Sequence, residues 1–297
     1  MPTNNFDQIL GQPQNVANPT NNDIDRAKEQ INNDTYTVEE RNDVNEIFVS
    51  IPDPKSPIVV LFGAPASGKT LAMLRMIRFL EAHNFQTEPE VLFRPESDKH
   101  FKKMCNELKN MAYSQYAPGP TDIVNFMLLK VLDNGGHPLC QILEAPGEHY
   151  FDGTASLEFP TYIENVVAAP NRKVWVFFVE QDWKGNRALY AQKICSMQSK
   201  ISPDDKVVFL FNQADKKVNQ FKRNGRPNTE VFFSNIKNQY PGIFSKYANS
   251  GFEKLLFGEY NFKAVCFSSG TFTKSGENEI WIPGKDWFCE ELWKAIR

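Results

Sequence analysis

Apolar residues along this chain gather in short continuous runs, separated by stretches whose apolar positions recur at helical spacing. The runs are Ile58–Phe62 (IVVLF), Ile123–Leu132, Pro138–Leu143, Lys173–Val179 (KVWVFFV), Lys206–Phe211 (KVVFLF) and Phe262–Phe267. Continuous Val/Phe/Leu runs of this length read as strands covered on both faces, as in a parallel sheet with helices on either side. Between them the period becomes that of a helix. One helix is expected from the end of the first run's loop to about His83, and others over Arg187–Ser199, about Thr229–Ala248, and Trp287–Ile296. Phe101, Met104, Cys105, Leu108 and Met111 share one face of a further helix that Ser97 or Asp98 can cap. Asp133-Asn134-Gly135-Gly136 joins two apolar runs and signals a hairpin. The pattern predicts a three-layer α/β domain with a mostly parallel central sheet and one antiparallel hairpin strand.

The first 45 residues break this pattern. They are polar and Asn-rich, too poor in apolar area to offset chain entropy, and are expected to be a disordered tail with at most a short helix near Asp25–Ile31. Ile47-Phe48-Val49 is the first run able to pack, as an edge strand or as irregular chain on the domain. The domain is therefore assigned to 46–297, with a helical element inserted at about 84–120. No apolar run approaches the roughly 18 residues of a membrane span, and the N-terminus has neither a basic nor an apolar leader segment, so a cytoplasmic protein is expected. A net charge of −3 and a pI near 5.9 suggest no nucleic-acid partner. The five cysteines form no C-x-x-C pair, and the four histidines have no metal-ligand spacing. The cysteines read as small core residues in a reducing compartment. Oligomeric state is left open by the sequence.

Directly after the first apolar run stands Gly63-Ala64-Pro65-Ala66-Ser67-Gly68-Lys69-Thr70, a G-x-x-x-x-G-K-T phosphate-binding loop followed by strong helix formers. Strand, loop and helix are all in the context this motif needs. Gly63 and Gly68 permit close backbone approach, and the N–H groups of the loop, through Ala66 and Ser67, form a nest for phosphate oxygens. The following helix adds about half a positive charge at its N-terminus. Lys69 can reach the outer phosphates and the Thr70 hydroxyl can ligate Mg²⁺.

Three later segments lie at the C-terminal ends of predicted strands, where open α/β sheets bind ligands. They are Leu143-Glu144-Ala145-Pro146-Gly147-Glu148, Phe211-Asn212-Gln213-Ala214-Asp215 and Phe267-Ser268-Ser269-Gly270. The second of these resembles the guanine-reading N-K-x-D, which implies that the Asp215 carboxylate accepts from guanine's N1–H and exocyclic amine, a pair of donors adenine lacks.

With these four motifs in order, the chain from about residue 55 to 297 resembles a Ras-like P-loop GTPase of the translation-factor-related (TRAFAC) class, a bacterial-type, small-GTPase-like domain. The resemblance implies GTP and GDP as ligands and Mg²⁺ as cofactor. It implies that Glu144, in place of the family's usual Asp of D-x-x-G, holds Mg²⁺ through a water, and that the Gly147 N–H meets the γ-phosphate. It implies that Asn212 ties the base loop to the P-loop, that Gln213 replaces the Lys covering the base, and that the Ser268-Ser269 loop contacts the guanine carbonyl. Thr121, in Pro118-Gly119-Pro120-Thr121-Asp122, fits the switch Thr that closes over Mg²⁺ and the γ-phosphate; the alternative is that it only starts a strand. Where the Ras-like pattern has a water-orienting Gln, this chain has Glu148, followed by His149. Either side chain can act as acceptor or base, or hydrolysis can fall to a partner. The function implied is a GTP-binding switch with slow Mg²⁺-dependent hydrolysis, read by a protein effector or regulator. A P-loop ATPase and a non-hydrolysing nucleotide-binding scaffold are the alternatives.

Overall fold

The computed structural model describes residues 40, 43–116, 127–275 and 278–297. Its sheet is built from β1 (Ile58–Phe62), β2 (Gln86–Pro89), β3 (Met127–Leu132), β4 (Pro138–Glu144), β5 (Lys173–Val179), β6 (Lys206–Phe211) and β7 (Lys263–Cys266), in the spatial order β2-β3-β4-β1-β5-β6-β7. β1 lies between β4 and β5 and is parallel to both, with Val60 opposite Leu143 on one side and Trp175 on the other. β5, β6 and β7 continue in parallel. β3 is antiparallel to β2 and to β4, so it alone runs against the rest. Every residue of β1 and of β5 is buried, as their uninterrupted apolar runs require.

The helices are α1 (Lys69–Ala82), α2 (Lys99–Tyr113), the single turn α3 (Gly147–Tyr150), α4 (Thr161–Ala168), α5 (Arg187–Met197), α6 (Thr229–Gln239), α7 (Gly251–Phe257) and α8 (Asp286–Ile296). α1 and α8 pack on each other and on the sheet, α8 against β6 and β7, and α2 lies against α1. On the other face, register places Phe62, Phe177 and Phe209 side by side, with ring centroids 5.3 and 5.4 Å apart. Phe159, Phe244 and Tyr247 close over that stripe. Helices on both faces complete a three-layer α/β architecture.

Several elements depart from the apolar pattern. β2 falls in the stretch expected to be helical. Its four residues include a proline and bury Thr87 while exposing Gln86 and Glu88, too short an alternation to read, and pairing with β3 makes it a strand. α2, by contrast, starts at Lys99 with Asp98 as the expected cap, its carboxylate accepting from the Phe101 N–H at 2.8 Å. The helix expected to run to Ala248 stops at Gln239. Pro241 cannot continue it, and Gly242 turns the chain at φ 77°. A two-stranded hairpin, β8 (Gly270–Ser275) with β9 (Asn278–Pro283), follows β7 outside the main sheet. Ile47 and Val49 are buried as irregular chain and join no strand. Glu40, inside the stretch expected to be a tail, is buried; its carboxylate pairs with Arg94 at 2.9 Å, and Asp98 binds the same guanidinium at 2.9 Å. The expected short helix near Asp25–Ile31 and the candidate switch residue Thr121 lie outside the described residues.

Candidate nucleotide site

The loop from Gly63 to Gly68 leaves the buried end of β1 and turns directly into α1. Gly68 caps α1 at φ 84°, and a Cβ there would stand 2.6 Å from Asn212 Nδ2, so only glycine fits. Ala66 also takes a left-handed conformation, φ 57°, which turns successive backbone amides toward one concavity. Lys69 is buried and arches back over the loop, its Nζ donating to the carbonyls of Gly63 (3.2 Å) and Ala64 (3.5 Å). Burial pulls its pKa down, while the carboxylates of Glu144 and Glu148 act in the opposite sense. The loop thus holds a cation and a set of amides over the N-terminus of a 14-residue helix, an arrangement that favours an anion.

β4 is parallel to β1, so its end brings Glu144 to the start of α1, where the Thr70 hydroxyl donates to Glu144 Oε1 at 2.9 Å. Burial raises the Glu144 pKa to about 7, against the opposing effects of Lys69 and of the Thr70 hydrogen bond. The folded protein therefore holds a proton on Glu144 that the unfolded chain has released, between about pH 4.5 and 7. Over that window this group makes stability fall as pH rises, by an amount on the order of 3 kcal/mol. Glu144→Gln, which stays neutral, is expected to flatten this part of the stability profile. Denaturant melts of nucleotide-free protein at pH 5 and pH 7.5 measure it, and parallel pH dependence in both proteins would refute the assignment.

Around this point four buried polar atoms have no hydrogen-bond partner among the described residues: Ser67 Oγ, Glu144 Oε2, Tyr150 Oη and Asn212 Oδ1. Buried polar atoms are normally paired, so a cluster of orphans marks a place built for a polar ligand. Thr70 Oγ1 and the free Glu144 oxygen are hard donors of the kind Mg²⁺ takes, and the pair fits that ion. No group of three or more His, Cys, Asp or Glu able to hold a metal by themselves occurs among the described residues, so the ion's other ligands would come from phosphate and water.

Gly147 opens α3 directly against the P-loop. A Cβ there would lie 2.4 Å from Pro65 N and 2.6 Å from Ala64 C, which excludes any other residue without backbone movement. Glu148 is exposed and its charge acts on Lys69. His149 is half-buried; its Nδ1 and the Tyr162 hydroxyl of α4 are hydrogen-bonded at 2.8 Å. Burial lowers the His149 pKa, with Glu148 opposing.

The last two motifs form the neighbouring wall. Asn212 Nδ2 donates to Ser67 O at 2.7 Å, tying the loop after β6 to the P-loop. Gln213 is left-handed, φ 55°, and its side-chain oxygen accepts from Lys216 Nζ. The Ala214 N–H donates to Phe267 O at 3.0 Å, which sets the Asn212–Asp215 loop beside Ser268 and Ser269. The Asp215 carboxylate, half-buried, has no hydrogen-bond or ion-pair partner among the described residues. Ser268 is fully buried and Ser269 is half-buried. Gly63, Ala66, Ser67, Gly68, Lys69, Thr70, Glu144, Gly147 and Asn212 thus meet in one network. Gln213, Asp215, Ser268 and Ser269 adjoin it through Asn212. His149 is engaged elsewhere. Tyr150, whose hydroxyl is an orphan of this cluster, is a residue no motif pointed to. It follows Glu148 in sequence as an ordinary aromatic, and only its burial beside Glu144 marks it.

No protein-family model matches the chain, and no curated protein does. Among solved structures it is similar to nucleolar GTP-binding protein 1 of Plasmodium falciparum, at 15% identity over 74% of this chain and 80% of that one, with a TM-score of 0.38. It is similar to the S. cerevisiae Ski7 GTPase-like domain bound to GDP and inorganic phosphate, at 13% identity over 82% of this chain, with a TM-score of 0.40; it spans about half (50%) of that chain's length. A third likeness is to the signal recognition particle receptor SRb-GTP/SRX complex of Chaetomium thermophilum, at 10% identity over 80% of this chain and 97% of that one, with a TM-score of 0.36. Likenesses this distant carry no chemistry across, which rests on the residues themselves. No helix among the described residues is long and apolar enough to cross a membrane.

Proposed function

We propose that this chain is a guanine-nucleotide-binding switch, a Ras-like G domain of the TRAFAC class that binds GTP and GDP with Mg²⁺ and hydrolyses GTP slowly. One observation carries the reading: the 2.7 Å bond from Asn212 Nδ2 to Ser67 O. A nucleotide has a fixed span from base to phosphates. Binding it tightly requires that the loop for each end be held in register, and this bond makes one unit of the two.

In this reading Gly63, Ala66, Ser67, Gly68 and Lys69 hold phosphates, while Thr70 and, through a water, Glu144 hold Mg²⁺. The ion supplies neutralisation of phosphate charge when bound. Asp215 reads the guanine edge, Gln213 covers the base, and the Ser268-Ser269 backbone meets its carbonyl. Gly147 and Thr121 sense the γ-phosphate and order loops that a protein effector reads in the cytoplasm. The unit spans 46–297, with 84–120 as an insertion between α1 and the switch.

For hydrolysis, Glu148 is favoured over His149 as the side chain that orients water. Glu148 is exposed with its charge acting on Lys69, whereas His149 Nδ1 is bonded to Tyr162. In single-turnover GTP hydrolysis, Glu148→Ala is expected to slow the reaction on the order of 100-fold with GTP affinity unchanged, and His149→Ala by less than about twofold. Undiminished turnover in the Glu148 variant would hand the water to His149 or to a partner protein. No turnover in the wild type would favour the non-hydrolysing scaffold. Competition between GTP, GDP and ATP decides against or for the ATPase alternative.

A further inference from the structure

Trp281 stands on β9, 69 positions beyond Asn212 and outside every motif that led to the site, yet it is a donor that fixes the base-side loop. The Ser269 carbonyl accepts the Trp281 indole N–H at 3.0 Å and the Gly284 N–H at 3.2 Å, which occupies both of its lone pairs. The Gly270 N–H donates to Ser268 Oγ at 3.1 Å. The Ser269 N–H is left without an acceptor among the described residues. The turn therefore offers a backbone donor whose direction is set by the bonds on either side of it.

Trp281 is itself held from behind. It is buried at 3% exposure, and the Arg78 guanidinium of α1 lies 4.2 Å from its ring centroid. Arg78 in turn donates to the carbonyls of Ala112 and Ser114, at and just beyond the end of α2. The Trp281 backbone N–H donates to Gln115 O at 2.8 Å, and Tyr116 bridges to Ile280. The indole is thus clamped between α1, the end of α2 and the Ser268–Gly270 loop, so its N–H has one direction available.

We infer that Trp281 is a specificity-positioning residue for the nucleotide base: clamped on Arg78, its indole N–H holds the Ser269 carbonyl, and with it the turn whose Ser269 N–H faces the base carbonyl. This rests on the guanine-nucleotide reading above. A residue that acts this way affects binding of the base and leaves binding of the phosphate chain alone, because the P-loop contacts are made by other elements. A residue that only supports the fold affects both.

The experiment compares the affinities of GTP, ATP and inorganic tripolyphosphate for the full-length wild type, Trp281→Phe and Arg78→Gln. Trp281→Phe keeps a ring on Arg78 and loses only the donor. It is expected to weaken GTP about three- to tenfold, the effect of one lost hydrogen bond to a loop that must stay ordered, with tripolyphosphate affinity unchanged. Arg78→Gln leaves the indole intact and removes its clamp; it is expected to act in the same direction and so gives a second reading if Trp281→Phe does not fold. Unchanged GTP affinity in both variants, or equal losses for GTP and tripolyphosphate, would overturn the role. If the wild type itself binds GTP and ATP equally, the base-reading assignment fails and this role fails with it. A wild type that prefers GTP beside variants that behave like it overturns this role alone.

Discussion

Replacing Lys69 with Ala is expected to abolish nucleotide binding while leaving the domain folded. Lys69 is buried, and among the described residues its ammonium bonds only the Gly63 and Ala64 carbonyls. Those are neutral partners, so no carboxylate is directly bonded to the ammonium and it is available to a phosphate. A charge-assisted bond in a desolvated site contributes far more than one at the surface, and its loss should cost on the order of 3 kcal/mol, about two orders of magnitude in affinity. The fold should survive because the charge change is absorbed locally. Lys69 draws the Glu144 pKa down, so without it Glu144 keeps its proton more firmly and no bare buried carboxylate is created. Calorimetric titration with GTP, beside a thermal melt of the same preparation, checks both halves. Retained micromolar affinity in a folded variant would count decisively against the phosphate site.

Asp215→Asn is expected to collapse base preference. In the wild type GTP should bind better than ATP by a factor on the order of 10⁴ or more, because a ligand lacking the two donors leaves the carboxylate unpaired. The geometry bears on this directly. The Asp215 carboxylate has no protein partner among the described residues, while its loop is pinned on both sides, by Asn212 to Ser67 and by Ala214 to Phe267. It is an acceptor held in place and left open. The Asn amide would set donors against guanine's N1–H and amine. Xanthine carries a carbonyl where guanine has that amine, so XTP should bind the variant better than GTP does. Lys69 and Thr70 are untouched and the variant should fold. If Asp215 only shapes the turn, the substitution will shift stability slightly and leave the ratios of GTP, ATP and XTP as they were. Equal GTP and ATP binding in the wild type would promote the ATPase alternative.

What the linear sequence determines about this protein is what neighbouring residues dictate to one another. Gly63 to Thr70 build a tight loop of inward-turned amides because the turn's backbone angles are set by consecutive residues, two of them glycines, between a buried strand and a strong helix. The sheet core is legible for the same kind of reason: β1, β5 and β6 are continuous apolar runs, and Asp133–Gly136 can hardly be anything but a turn. The tertiary structure alone decides the rest. Thr70 meets Glu144 across 74 positions and Asn212 meets Ser67 across 145; apolar periodicity shows neither bond, and the Asn212 tie is expected only from the motif's resemblance. β2 is a strand only because β3 offers it an edge, and the buried Glu40 is paired with Arg94 from 54 positions away. The β8–β9 hairpin and Trp281 are invisible to pattern because, among the hairpin's side chains whose burial is described, Trp281 alone is buried, and its role depends on which carbonyl it meets. Backbone angles and apolar periodicity act over a few residues, whereas a hydrogen bond between loops depends on strand order and register, which exist only once the parallel strands have paired.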